Sequence, residues 1–262
     1  MKLFQIDAFA KRRFEGNPAA VCIVEERLSE DFMQNLALEN NLSETAYVTI
    51  HQEYCDIRWF TPAAEVPLCG HATLAAAFVL FEEGYWPKER QIKFHSLSGE
   101  LFVTWDQGQL SLNFPSRSPE SMGADQVEKM EALFEVQLDD VLEVPGEMIF
   151  IFKEEEGLQK FDPDQQKVAL LAKNGLITSA QSQDFDFVSR YFAPNLGIKE
   201  DPVTGFMHTI LTPYWSQKMG KKQLRARQIS ARGGDLGLEL LDDRVMITGS
   251  AVKVFETVIS YP

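Results

Sequence analysis

A pattern that recurs at half the chain length constrains this sequence more than any other feature. Arg58-Trp59-Phe60-Thr61-Pro62 is matched by Arg190-Tyr191-Phe192-Ala193-Pro194. A second pair follows in the same order, Glu65-Val66-Pro67-Leu68-Cys69-Gly70 and Glu200-Asp201-Pro202-Val203-Thr204-Gly205. A third lies in hairpins, where Gln91–Phe94 parallels Gln223–Ala226 and the turn at Asp106 parallels the turn at Asp242. In a chain of 262 residues, a repeat of this period predicts two related domains rather than a solenoid of short units. The Pro/Ser/Gly-rich stretch 115–124 is the expected boundary. Residues 1–117 are therefore assigned to one half and 118–262 to the other, with the last strand free to return to the first half.

The local patterns agree with two similar halves. Leu3–Phe9, Ala19–Val24, Thr45–Ile50 and Tyr54–Phe60 carry the β-branched and aromatic content of strands. Ser29, followed by Glu30 and Asp31, predicts the start of a helix running to about Glu39. Thr73–Phe81 has no polar face, so the helix it forms belongs in the interior, and Gly84 is placed to end it. In the second half a matching helix is expected over 205–216, kinked or cut short by Pro213. A further helix is expected over Ala124–Phe134, and the acidic run at 153–157 reads as a solvated loop.

Composition narrows the function. The chain is 45% hydrophobic, too apolar for a disordered protein, and its net charge of −14 argues against nucleic acid or an anionic membrane as partner. Residues 1–10 lack the pattern of a secretory signal, and the uncharged run from Gly70 to Phe81 is shorter than the roughly 20 residues that span a bilayer. The three cysteines lack CxxC spacing and the four histidines lack HxH or HxxxH pairing. The expectation is a cytoplasmic protein with reduced thiols and no metal site.

Each repeat sets a Pro-x-x-Gly just ahead of a helix. Unpaired N–H groups and the helix dipole attract an anion at such a start, although an ordinary helix cap has the same local sequence. Glu44 enters the apolar strand 46–50, where partial loss of water makes a carboxylate a stronger base; an exposed turn is the plain alternative. His71 follows Gly70 in the first helical turn, where the positive helix end predicts a neutral imidazole. Asp201 occupies the equivalent turn of the second half and also fits a capping carboxylate.

The strings GNPAAV (16–21), NLSETAYV (41–48), RWFTP (58–62), EVPLCGHATLAAA (65–77) and EDPVTG (200–205) resemble those of the PhzF-like isomerases of phenazine biosynthesis, in order over nearly the whole chain. That resemblance implies the diaminopimelate-epimerase fold. This is an α+β architecture of two pseudo-symmetric halves, each a mostly antiparallel β-barrel around a central helix, with the active site between them. It implies cofactor-independent proton transfer on a small anionic metabolite, with Glu44 as general acid or base and with His71 and Asp201 as its partners. Asn17, Gly70, Ala72, Thr73, Thr204, Gly205 and Phe206 map onto substrate-binding positions, and a homodimer is the expected assembly.

Three departures qualify the resemblance. The family places Ser where this chain has Phe206, so the phenazine precursor is not the expected substrate. The family's Gln-Gly segment is read here as Arg232-Gly233, a source of positive charge. Cys69 stands where related epimerases carry one of two catalytic thiols, but its counterpart is Thr204, which leaves a two-thiol racemase without one base and favours packing for Cys69. The competing reading is a small-molecule-binding or regulatory protein that kept the fold and lost the chemistry.

Overall fold

The computed structural model describes residues 1–25 and 28–260. By its internal contacts the chain forms two compact units. The first comprises Met1–Phe114 and the residues from Met246 onward, and the second comprises Pro115–Val245. The final strand thus belongs to the first unit.

In the first unit, β1 (Lys2–Ala8) pairs antiparallel with β2 (Asn17–Val24). After α1 (Glu30–Asn40), β3 (Glu44–Ile50) returns parallel to β2, and β4 (Cys55–Phe60) runs antiparallel to β3. The short β5 (Glu65–Val66) folds back on β4 and leads into α2 (Gly70–Glu82). Then β6 (Ile92–Ser96) joins β4 in parallel, followed by the antiparallel β7 (Gly99–Asp106) and β8 (Gln109–Pro115).

All of β2 except Pro18 is buried, the signature of a strand covered on both faces. Ala20, Cys22 and Val24 pack against Met33 and Ala37 of α1. On α2, Ala72, Leu74, Ala75, Ala76 and Ala77 are fully enclosed, as a helix without a polar face requires. It ends at Glu83, and Gly84 follows with φ +74, a conformation that suits glycine. Ser29 caps α1 as expected, its hydroxyl accepting from the Phe32 N–H at 3.2 Å.

The second unit repeats this strand order. After the short β9 (Glu120–Ser121) and α3 (Ala124–Phe134), β10 (Leu138–Val144) pairs antiparallel with β11 (Glu147–Phe152). Two short helices, α4 (Glu155–Lys160) and α5 (Gln165–Leu171), precede β12 (Gly175–Gln181), which lies parallel to β11. β13 (Phe187–Phe192) is antiparallel to β12, α6 (Gly205–Met219) follows, and β14 (Gln223–Gln228) joins β13 in parallel. The hairpin partner β15 (Gly234–Leu240) and β16 (Arg244–Gly249) lead to β17 (Ala251–Val258), which pairs antiparallel with β1 in the first unit's own sheet.

Two local expectations are corrected. The acidic run does not stay a loop: Glu155 and Glu156 open α4, where carboxylates favour the positive helix end. Pro213 does not end α6, which runs on to Met219. A proline removes the N–H that would reach the carbonyl four residues back. Here that carbonyl, on Thr209, instead accepts from the Arg117 N–H at 3.1 Å, so the break in the ladder is repaired from outside the helix.

Candidate active site

The repeated sequence motif turns out to be a staple. In the first unit Arg58 sends Nε and Nη2 to the two oxygens of Glu65, both at 2.7 Å, and lies over the Phe60 ring at 5.2 Å. In the second, Arg190 grips Glu200 at 2.8 and 3.1 Å and lies over Phe192 at 4.8 Å. A guanidinium matches a carboxylate through two parallel bonds, so each strand end is tied to the loop that opens the following helix. Each staple sets a turn, and the candidate residues lie at the turns.

In the first unit three segments converge at one strand end. β2 begins at Asn17 and β3 at Glu44; because they are parallel, with Ala19 opposite Glu44, their starts lie at the same end of the sheet. Gly16 makes the approach, at φ +67, where a Cβ would lie 2.1 Å from the Ala8 carbonyl oxygen. α2 starts there too. His71 Nε2 lies 3.0 Å from Glu44 Oε2, with the side chains 7% and 15% exposed. Neither of these two atoms has a hydrogen-bond partner: the pair has the distance of a hydrogen bond without its alignment. On the other side of the ring, Nδ1 is 3.3 Å from Asn17 Nδ2 and 3.5 Å from Cys69 Sγ. Ser43 Oγ donates to Asn17 Oδ1 at 3.2 Å.

The electrostatics reverse one expectation. Burial disfavours a charge on His71, but the Cys69 sulfur and the Glu44 carboxylate on its two sides outweigh it. The imidazole therefore holds its proton well above the usual histidine range, where the helix end alone predicted a neutral ring. Burial, with Glu44 nearby, pushes the Cys69 thiol up. Cys22 and Cys55 are buried away from this cluster, and burial pushes each thiol up to about 12.

The remaining candidates of the first turn lie in the same helix start. Gly70 opens α2, and Ala72 is fully buried behind it. Thr73 is also fully buried; its N–H and its hydroxyl both donate to the Cys69 carbonyl, at 3.2 and 2.5 Å, so it holds the turn together.

The second unit's turn is closed on itself. Thr204 Oγ donates to the Asp201 carboxylate, and the Thr204 N–H donates to Gln228 Oε1 at 2.6 Å. Gln228 Nε2 donates to the Asp201 carbonyl at 2.7 Å and approaches Thr204 Oγ1 at 3.2 Å. Gly205 opens α6 and is buried, while Phe206 is half-buried beneath the Arg117 guanidinium, 5.0 Å from its ring centre. The sequence pointed to Arg232-Gly233 as the Gln-Gly segment; the glutamine that the fold ties into this turn is Gln228, at the end of β14. His208, one turn into α6, is fully buried between the Thr204 carbonyl and Ser189 Oγ. Burial pushes it down to about 4 and leaves it neutral.

Sequence reasoning also passed over Ser43 and Arg117. Ser43 had a signal in the SET string, whereas Gln228 and Arg117 act through contacts far along the chain that no local pattern announces. Among the described residues no helix is long and apolar enough to cross a membrane.

A family profile described as phenazine biosynthesis-like protein matches residues 6–257. The chain belongs to the PhzC-PhzF family. An uncharacterized isomerase of Pseudomonas aeruginosa is 44% identical over 97% of this chain and 96% of its own. A PhzF-family phenazine biosynthesis protein of Enterococcus faecalis, solved by crystallography, superposes with a TM-score of 0.92 at 41% identity, covering 97% of both chains. A probable proline racemase from Agrobacterium radiobacter shares the fold at 10% identity, with a TM-score of 0.63 over 100% of this chain and 93% of that one. The α+β fold of the racemases and epimerases, expected from the resemblance, is thereby established.

Proposed function

We propose that this PhzF-family protein is a cofactor-independent isomerase or epimerase that moves a proton on a small carboxylated metabolite. The observation that carries the reading is the Glu44–His71 pair. A carboxylate and a protonated imidazole face each other at 3.0 Å inside the protein, and the two facing atoms have no hydrogen-bond partner. Buried polar atoms without partners cost stability, so their retention is readily explained by a ligand that completes them. Glu44 takes a proton from carbon, and His71, already charged, returns one. Cys69 Sγ, 3.5 Å from Nδ1, is the acceptor available to the second N–H of the charged ring, and the first turn of α2 offers backbone N–H groups and a positive dipole end to the substrate carboxylate and to developing enolate charge. An anion is thus held locally despite the net charge of −14. Asp201, which carries the equivalent turn in the second unit, is the second candidate acid or base.

The test is solvent-deuterium incorporation in a mixture of small amino, hydroxy and unsaturated carboxylic acids in heavy water, followed by NMR. The wild-type protein is expected to label at least one component, and Glu44→Gln to abolish labelling while melting as the wild type does. Labelling that survives in Glu44→Gln overturns the assignment. Tight binding of a carboxylic acid with no labelling by the wild type favours the binding-protein alternative.

A further inference from the structure

The same corner of the first unit combines three donor types that suit a borderline-soft cation. A thiol, an imidazole and a carboxylate, on Cys69, His71 and Glu44, place one donor atom each within 4.8 Å of one another. We propose that these three side chains form a binding site for a thiophilic divalent cation of the Zn2+ class, and that its occupancy shuts off the proton transfer. The second half of this proposal rests on the function inferred above; the first half does not.

Sequence spacing hides the site because Cys69 and His71 are two residues apart on a helix start while Glu44 comes from a neighbouring strand. Zn–N, Zn–O and Zn–S bonds of about 2.0–2.3 Å in a tetrahedron set donors roughly 3.3–3.7 Å apart. Glu44 Oε2 and His71 Nε2 stand at 3.0 Å, so a cation between them needs only a small parting. Cys69 Sγ faces the other ring nitrogen at 3.5 Å and lies within 4.8 Å of the other donors, so binding also requires the Cys69 side chain to turn toward the carboxylate. One thiolate and one carboxylate neutralise a doubly charged ion, and the thiolate selects zinc-like ions over magnesium or calcium.

The site has the further marks of a ligand position. Glu44 Oε2 and His71 Nε2 are buried without hydrogen-bond partners, and His71 is more than nine-tenths buried. Three protein donors leave the fourth position open. Because Glu44 and His71 are also the proposed proton-transfer groups, a bound cation occupies the Glu44 lone pair that takes a proton and displaces the His71 proton that is returned.

Titration of the reduced, chelator-treated protein with Co2+ tests this. One equivalent is expected to bind with a thiolate-to-cobalt charge-transfer band in the near ultraviolet, and Zn2+ is expected to displace it. Cys69→Ser should abolish the band, and Glu44→Gln should keep it with affinity at least about tenfold weaker, since even an outer contact to a ligand is worth that much. Absence of the band in wild type at millimolar Co2+, or its persistence in Cys69→Ser, overturns the site. Thermal unfolding of each variant separates loss of the site from loss of the fold. Deuterium labelling by the metal-free protein tests the isomerase reading separately. Full labelling with one equivalent of Zn2+ bound overturns the blocking role and leaves both the site and the isomerase standing.

Discussion

The two units contain the same staple and the same strand order, yet their turns differ in one chemical respect. In the first, a buried carboxylate meets a charged imidazole and the facing atoms lack hydrogen-bond partners. In the second, the carboxylates have hydrogen-bond partners. Glu147 accepts from Asn174 Nδ2 and from the Tyr191 hydroxyl, both at 3.1 Å, and Asp201, Thr204 and Gln228 close a hydrogen-bonded loop. The strand position that holds Glu44 in the first unit holds Gly175 in the second, where a Cβ would lie 2.5 Å from the Phe192 carbonyl oxygen and 2.8 Å from the Tyr191 ring. The histidines diverge as well: His71 is held protonated by its neighbours, and His208 is held neutral by burial. A duplicated scaffold has thus kept its fastening and changed what the fastening presents.

The sharpest way to break this contrast is to exchange the two carboxylates' chemistry. Glu44→Gln is expected to lower deuterium labelling at least about 100-fold, the scale of a lost general acid or base. Glu147→Gln, which keeps its partners, is expected to leave labelling unchanged. Equal loss in both, measured by NMR, would end the distinction.

The staples should differ in strength although their geometry matches. Arg190 is 12% exposed and also donates to the carbonyls of Leu158 and Phe161, whereas Arg58 is 32% exposed. Removing one partner of a buried pair strands the other, so Arg190→Leu is expected to cost about 3–5 kcal/mol in urea unfolding. Arg58→Leu is expected to cost about 1 kcal/mol.

The histidines allow a test by pH. His208 is lowered from 6.5 to about 4 in the folded protein, so the unfolded chain takes up its proton first as pH falls. The stability tied to its neutral form is complete above about pH 6.5 and is lost between 6.5 and 4, amounting to about 3 kcal/mol at most. His71, raised by its neighbours, contributes oppositely: its part is complete below pH 6.5 and fades as pH climbs through its higher folded value. His208→Asn should flatten the acid limb of the stability curve; an unchanged limb would refute the burial argument. Gln228→Ala, which leaves the Thr204 N–H unmatched, should cost about 2 kcal/mol by the same measurement.

Much of this was legible in the chain before any coordinates. The repeat foretold two units, Ser29 and Gly84 marked helix ends, and the apolar run after Gly70 foretold an interior helix, because caps and periodicity are local properties. Glu44, His71 and Asp201 could be named from motifs. Tertiary structure alone decided that Glu44 and His71 touch, since strand register and helix entry bring together residues that are remote along the chain. It decided the proton on His71, because the Cys69 sulfur and the Glu44 carboxylate outweigh the burial that disfavours its charge. It also decided that α6 passes Pro213, through an N–H supplied by Arg117 from far along the chain. Local sequence determines which residues are candidates; which of them come together depends on contacts that only the folded chain creates.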